Sequence, residues 1–117
     1  MTLQTDLKHL VTVEDFNELI NNNENVMVSC GRMGPMCVPV YDIMEDIIDE
    51  GEYKHVEFRD MLFDNPNAGV IRNLSECKGF MGLPFTVYFK NGKVVKATSS
   101  IQNRDQITDI LKSEFGK

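Results

Sequence analysis

Apolar and polar positions follow two different periods along this chain. Short apolar runs with strand-like spacing lie at 25–30, 55–62, 85–89 and 94–97. In the segments between these runs, apolar residues recur three or four positions apart, which is typical of amphipathic helices. The inward-facing helical positions predicted in this way are Phe16, Leu19, Ile20, Val40, Ile43, Met44, Ile47, Ile107, Ile110 and Leu111.

Residues with capping and turn preferences mark the ends of these elements. Thr12 is placed to start the first helix with a capping box, and Asn103 is placed to cap the last helix. Gly51 can adopt the left-handed conformation that ends the second helix. The dipeptide Asn91-Gly92 lies between two strand-like runs and is a strong signal for a β-hairpin.

A short strand before Thr12 and a short helix over 70–77 complete the predicted order β-α-β-α-β-α-β-β-α. This order predicts an α/β fold with a mixed central sheet and helices on both faces. Helical crossovers would join the first strands, and the last two strands would form a hairpin. At 117 residues, the chain is predicted to be one domain, 1–117, that buries a core without metals or disulfides.

The charge of the chain excludes two classes of partner. Its formal net charge is −6 and its pI is near 4.8, whereas nucleic acids and anionic membrane surfaces attract basic patches. The N-terminal segment lacks the basic and apolar regions of a secretory signal, and no stretch approaches the ~20 apolar residues that span a bilayer. We therefore expect a cytoplasmic protein, in which stable structural disulfides are uncommon.

Cys37 occupies the position in this chain that most favours a reactive thiol. It follows Met33-Gly34-Pro35-Met36 in the turn between the 25–30 strand and the second helix. Unpaired N–H groups at the start of a helix favour a thiolate. The chain has three cysteines, so at least one of them is free unless chains cross-link.

Pro39 bears on where the second helix begins. Proline lacks a backbone N–H donor and is tolerated in the first turn of a helix but not further in. If Pro39 lies in that first turn, the helix begins around 36–38 and Cys37 stands at its positive end. The alternative is an earlier helix that is kinked at Pro39, and the sequence leaves both open.

Two motifs later in the chain resemble the thioredoxin family. The segment Gly79-Phe80-Met81-Gly82-Leu83-Pro84 is similar to the family's Gly-Ile/Leu-Pro loop, and Phe89-Lys90-Asn91-Gly92 is similar to its hairpin. Together with the turn before Cys37, the resemblance covers residues 8 to 116. It implies a thioredoxin-like fold, a cis peptide bond before Pro84, a protein thiol or disulfide as substrate, and thioredoxin reductase among the candidate partners.

The turn itself departs from the family's Trp-Cys-x-x-Cys motif, and two alignments are conceivable. Aligning Gly34-Pro35 with the family's Gly-Pro puts Met33 and Met36 at the two cysteine positions. Aligning Cys37 with the second cysteine needs no gap and keeps the apolar stripe of the following helix inward. A slip of one residue would rotate that stripe by about 100°. We adopt the second alignment, in which Gly34 replaces the nucleophilic cysteine.

The same alignment changes the chemistry expected of the site. Val28 stands where the resemblance implies a buried acid that helps to deprotonate the second cysteine, and Met33 stands where it implies tryptophan. Disulfide reduction needs an attacking thiolate and a second thiol that releases the mixed disulfide. Gly34 removes the attacking thiol, and Cys30 is our candidate to replace it as the partner of Cys37, although buried, inert strand cysteines are common. Cys77 is interpreted as a cysteine on a helix face.

A substrate groove is predicted beside this turn. In thioredoxins the backbone before the cis proline pairs with an extended substrate segment, which is a form of strand addition. Gly82 permits close approach of such a segment, and methionines provide an adaptable apolar lining. The predicted substrate-binding residues are Met33, Gly34, Pro35, Met36, Met81, Gly82, Leu83 and Pro84.

Two functional hypotheses follow from these observations. In the first, the chain is a thiol-disulfide oxidoreductase that acts on protein thiols or disulfides through Cys37, with Cys30 as its partner. In the second, it is a non-catalytic thioredoxin-fold module that binds a polypeptide. No cofactor and no metal site are predicted. A Cu(I) site built from these two cysteines with Met33 and Met36 is chemically allowed, but it lacks a ligand repeat.

Overall fold

A five-stranded sheet organises residues 2–116, which a computed structural model describes. The strands are β1 (Lys8–Leu10), β2 (Asn25–Gly31), β3 (Glu57–Leu62), β4 (Phe85–Lys90) and β5 (Lys93–Ser99). The helices are α1 (Val13–Asn22), α2 (Val38–Glu50), α3 (Gly69–Arg72) and α4 (Arg104–Phe115). The element order is the one that the sequence predicts, so the α/β fold class is confirmed. None of the helices described is long and apolar enough to cross a membrane.

The strands lie in the order β1-β3-β2-β4-β5. Strands β1, β3 and β2 are parallel, as helical crossovers require, whereas β4 and β5 run antiparallel to form the hairpin at the other edge. Strand β2 is the centre of the sheet, and all seven of its residues are buried. The turn that carries Cys37 therefore leaves the sheet from its most enclosed strand.

The helix ends follow the capping signals of the sequence. The Thr12 side chain accepts from the Asp15 N–H at 3.0 Å, and Asp15 bonds back to the Thr12 N–H. Asn103 and Gln106 form the same reciprocal capping box at the start of α4. Gly51 ends α2 with φ of 74°, a left-handed conformation that favours glycine.

The segment before the Leu83-Pro84 loop differs from the prediction. The helix predicted over 70–77 is instead the four-residue α3, followed by a separate 3₁₀ turn at Ser75–Cys77. Leu74 adopts an extended conformation between them, with φ −63° and ψ 140°, and this interrupts the helix. The short α3 is held by Arg72, which donates to the carbonyl oxygens of Phe63 and Asn65.

The sheet divides the core into two clusters. The cluster on the face covered by α2 and α4 includes Met27, Cys37, Val40, Tyr41, Met44, Ile47, Phe58, Tyr88, Ile107, Leu111 and Phe115. The cluster on the face covered by α1 and α3 includes Phe16, Leu19, Val26, Val28, Cys30, Met61, Ile71, Cys77, Phe85, Val87 and Phe89. Because side chains alternate along a strand, neighbouring residues of β2 enter different clusters.

Five polar residues form one row across the sheet, on the face covered by α2 and α4. The strand registers pair His9 with Asp60, Asp60 with Ser29, Ser29 with Thr86, and Thr86 with Thr98. We call these five residues the polar row. Its three central members are fully buried, and the Ser29 and Thr86 hydroxyls are hydrogen-bonded at 2.9 Å. The Thr98 hydroxyl is buried without a hydrogen-bond partner among the described residues.

Asp60 is the charged centre of the polar row. Its carboxylate accepts from the Thr5 hydroxyl and meets His9 Nδ1, each at 2.5 Å. Burial nevertheless raises the pKa of Asp60, and the bonds from Thr5 and His9 offset this only in part. This carboxylate on β3 therefore holds the N-terminal segment and β1 in place, although its burial costs desolvation free energy.

Asp60 predicts a pH dependence of stability. Because its folded-state pKa is raised above the unfolded value of 3.8, the folded chain binds more protons at this site than the unfolded chain. The stability that protonation gives is therefore present below the unfolded pKa and lost as pH rises through the folded pKa. We expect the wild type to lose stability relative to Asp60→Asn in urea unfolding as pH rises from about 4 through the raised pKa of this carboxyl.

Asp64 is the matched control, because its shift has the opposite sign. The Arg32 guanidinium holds the pKa of this exposed carboxyl below its usual value. The stability that ionised Asp64 contributes is therefore present above its unfolded pKa and lost as pH falls through its folded pKa. An Asp60→Asn difference that is independent of pH, or that follows the sign for Asp64→Asn, contradicts the prediction.

Candidate functional site

The turn between β2 and α2 begins the helix late. Cys37 is the N-cap residue, and Pro39 is in the first turn of α2, where its missing N–H leaves no bond unmade. The Gly34 carbonyl accepts from the N–H groups of Cys37 at 3.1 Å and Val38 at 3.0 Å. Of the two interpretations of Pro39, the structure therefore matches the late start, with Cys37 at the positive end of the helix.

The Leu83-Pro84 loop packs against this turn, and Gly31 makes the close approach possible. The peptide bond between Leu83 and Pro84 is cis. A β-carbon at Gly31 would stand 2.6 Å from Tyr41 Oη, 2.8 Å from Cys37 Sγ and 3.0 Å from Pro84 Cβ. Real β-carbons do not approach other atoms so closely, so a side chain at the end of β2 would push these neighbours apart. The thiol, a phenol and the proline thus converge on one point.

Tyr41 is a site residue that the sequence analysis missed. It is buried one helical turn after Cys37, and its hydroxyl donates to the Arg32 carbonyl at 3.1 Å. Its hydroxyl also interacts with the Cys37 thiol, which lies beside it. The available signal was the spacing of four residues between Cys37 and Tyr41, which puts two side chains on the same helix face.

The structure does not bring Cys30 and Cys37 together as a pair. Cys30 lies in the cluster on the α1 and α3 face with Cys77, whereas Cys37 lies on the other face, and all three thiols are free. Burial raises the pKa of Cys30 to about 12 and also raises the pKa of Cys77. The physical reason is the alternation of β2, which points residue 30 away from the side on which the chain enters α2.

Of the predicted groove residues, Pro84 lies at the convergence point, and the three methionines are exposed. Met33 and Met36 project from the turn, and Met81, at 96% exposure, projects from the loop that leads to Pro84. Exposed Ile101 is a further large apolar side chain, next to Ser100 of the same region.

Gly34 stands in open space. A β-carbon added there has no neighbouring atom within 4 Å, and the residue does not have the positive φ that would favour glycine. The backbone of the turn therefore accepts a side chain at this position. Among residues 2–116, no group of three or more His, Cys, Asp or Glu side chains is arranged to hold a metal ion.

Ser100 fastens the loop to the end of β5. Its N–H donates to the carbonyl oxygens of Gly82 at 3.0 Å and Pro84 at 3.1 Å. It has a φ of 70°, a left-handed conformation that is unfavourable for a residue with a β-carbon. Its β-carbon is 3.0 Å from the point where a Gly82 β-carbon would stand, so Gly82 leaves room for it. Backbone strain is therefore located in the loop of the site.

Solved thioredoxins match this structure. A thioredoxin from Malassezia sympodialis has a TM-score of 0.75 at 14% identity, over 97% of this chain and 94% of that chain. A thioredoxin from Halobacterium salinarum gives 0.74 at 16% identity with the same coverage, 97% and 94%. Mitochondrial thioredoxin 3 from Saccharomyces cerevisiae gives 0.73 at 18% identity, over 92% and 94%. No protein-family model and no curated protein matches the sequence.

We expect Ser100→Gly to stabilise the protein. Glycine removes the left-handed strain, which costs about 1–2 kcal/mol, but loses about 0.5–1 kcal/mol of backbone entropy. The free energy of unfolding in urea should therefore rise by about 0.5–1 kcal/mol. Ser99→Gly is the matched control, since Ser99 ends β5 without a positive φ and should lose stability. Equal losses in the two variants would show that Ser100 is not strained.

Proposed function

We propose that this chain, which has a thioredoxin fold, binds an extended polypeptide segment and exchanges thiol and disulfide with it through Cys37. The observation that carries the proposal is the convergence of Cys37 and Pro84 on Gly31, at 2.8 and 3.0 Å from one point. A polypeptide that lies along the Leu83-Pro84 loop would pass directly over the thiol. Backbone pairing with this loop would give affinity without a fixed sequence.

The exchange would use one thiol of this chain and one from outside the site. The Cys37 thiolate attacks one sulfur of a substrate disulfide, the S–S bond breaks, and the departing sulfur leaves as a thiolate that takes up a proton. An external protein or low-molecular-weight thiol then attacks the mixed disulfide and releases Cys37. Cys30 would have to leave the core and lose its proton, at a pKa of about 12, to play that part.

The groove would recognise its partner through apolar contacts. Met33, Met36 and Met81 present flexible thioethers that adapt to different side chains. Gly82 leaves room for Ser100, which holds the loop, and the backbone of Leu83 would pair with the partner's main chain. The partner we propose is a protein thiol or disulfide in an extended, apolar segment.

Shielding of Cys37 would limit the rate. The side chain is 3% exposed and lies close to Tyr41 and Pro84. Gly34, where an added side chain would enter open space, carries no thiol. The same observation favours a second candidate function, a module that binds a polypeptide with the groove and performs no exchange.

Replacing Gly34 by cysteine tests the proposal. The added side chain enters open space, and its thiol would stand three residues before Cys37 at a helix start. We expect Gly34→Cys to raise the rate of insulin disulfide reduction at least about tenfold over wild type, because it supplies the exposed attacking thiolate. The assay is turbidity of the reduced insulin chains with an excess of dithiothreitol.

Two variants control this experiment. Gly34→Ala should fold like the wild type and gain no activity, which separates the thiol from the backbone effect of losing glycine. Adding Cys37→Ser to Gly34→Cys should abolish the gain, because the mixed disulfide then has no internal thiol to release it. A folded Gly34→Cys protein without increased activity would favour the binding module over the exchange reaction.

A further inference from the structure

We infer that Tyr41 is a catalytic residue of this site, whose hydroxyl donates a hydrogen bond to the Cys37 thiolate and stabilises it for attack on a disulfide. The inference rests on the proposed function in one respect, namely that Cys37 is the reacting thiol. The inference assigns to α2 the polar group that faces the thiol. On β2, Val28 stands where the resemblance implies an acid, and it is apolar and faces the other cluster.

The geometry of α2 and of the end of β2 places the Tyr41 hydroxyl close to the Cys37 thiol. Tyr41 follows Cys37 by one helical turn, so the two side chains lie on the same face of α2. Tyr41 Oη and Cys37 Sγ stand 2.6 and 2.8 Å from the point where a Gly31 β-carbon would lie. The missing side chain of Gly31 is therefore the space that these two atoms share.

The hydroxyl has one proton and two neighbours that can accept it. It donates to the neutral carbonyl of Arg32 at 3.1 Å and lies beside the Cys37 sulfur. When Cys37 ionises, a bond to the anion becomes the stronger of the two, because charge-assisted hydrogen bonds exceed neutral ones. Burial raises the pKa of Tyr41, so the hydroxyl keeps its proton while the thiol titrates.

Other titratable groups act on this pair from the turn and from two strands of the sheet. Arg32 of the turn interacts with Cys37, but its guanidinium is exposed and bonded to Asp64. Asp60 of β3 and Cys30 of β2 act on Tyr41 from the sheet. Cys30 is buried and keeps its proton, but its thiol is a weak donor and lies in the cluster on the other face of the sheet, so these groups do not duplicate the hydroxyl of Tyr41.

The test measures the alkylation rate of Cys37 against pH in the intact protein, with iodoacetamide and mass-spectrometric localisation of the label. We expect Tyr41→Phe, which keeps the ring, to move the midpoint of the Cys37 profile to higher pH by about one unit, a tenfold loss of thiolate. Tyr88→Phe is the matched control. Tyr88 is buried on the same face of the sheet, and its hydroxyl has no partner among the described residues. Its removal should leave the profile unchanged.

A second variant, in strand β2, disturbs the same contact between Tyr41 and Cys37. The methyl group of Gly31→Ala would occupy the shared space, so it should move the midpoint in the same direction as Tyr41→Phe. The double variant should move it no further than the larger single effect, because both changes break one contact. Identical profiles for wild type and Tyr41→Phe would overturn the role of Tyr41 and leave the proposed function intact. Absence of Cys37 labelling at every pH in the folded wild type would overturn both.

Discussion

The alternation of side chains along β2 determines where the chemistry of this chain lies. The strand is paired on both edges and covered on both faces, so each of its side chains faces one particular cluster of the core. Gly31 faces α2 and leaves room for the thiol of Cys37, whereas Cys30 faces the opposite cluster. A slip of one residue in this register would exchange these two environments. The core would then receive the polar residue Ser29 where Val28 now packs.

The polar row gives the two faces of the sheet different characters. On the face of α1 and α3, the cluster is apolar apart from its thiols. On the face of α2 and α4, Asp60, Ser29 and Thr86 are buried close to the turn of the site. Buried polar groups are expensive unless satisfied, and satisfied ones define a single arrangement. The hydrogen bonds that Asp60 accepts from Thr5 and His9 thus hold the N-terminal segment against β3, the strand beside β2.

The elements that were predicted correctly depend on local signals. Periodicity and capping residues such as Thr12 and Asn103 act within a few positions, and the structure retains them. The short α3 depends instead on Arg72, which reaches back to carbonyls seven and nine residues away. Sequence motifs likewise found the turn and the loop, but not Tyr41. Its role depends on which face Gly31 presents, and only the assembled sheet determines that.

The distribution of methionine sulfur has a consequence for oxidative chemistry. Met27, Met44 and Met61 are fully buried, whereas Met33, Met36 and Met81 are exposed around the groove. Peroxides convert accessible thioethers to sulfoxides, which are polar and chiral. Such damage would begin at the surface that we propose faces the partner and leave the core packing intact. A cell under oxidative stress would therefore retain the folded protein while its apolar contact surface turned hydrophilic, and a sulfoxide reductase could restore that surface without refolding the chain.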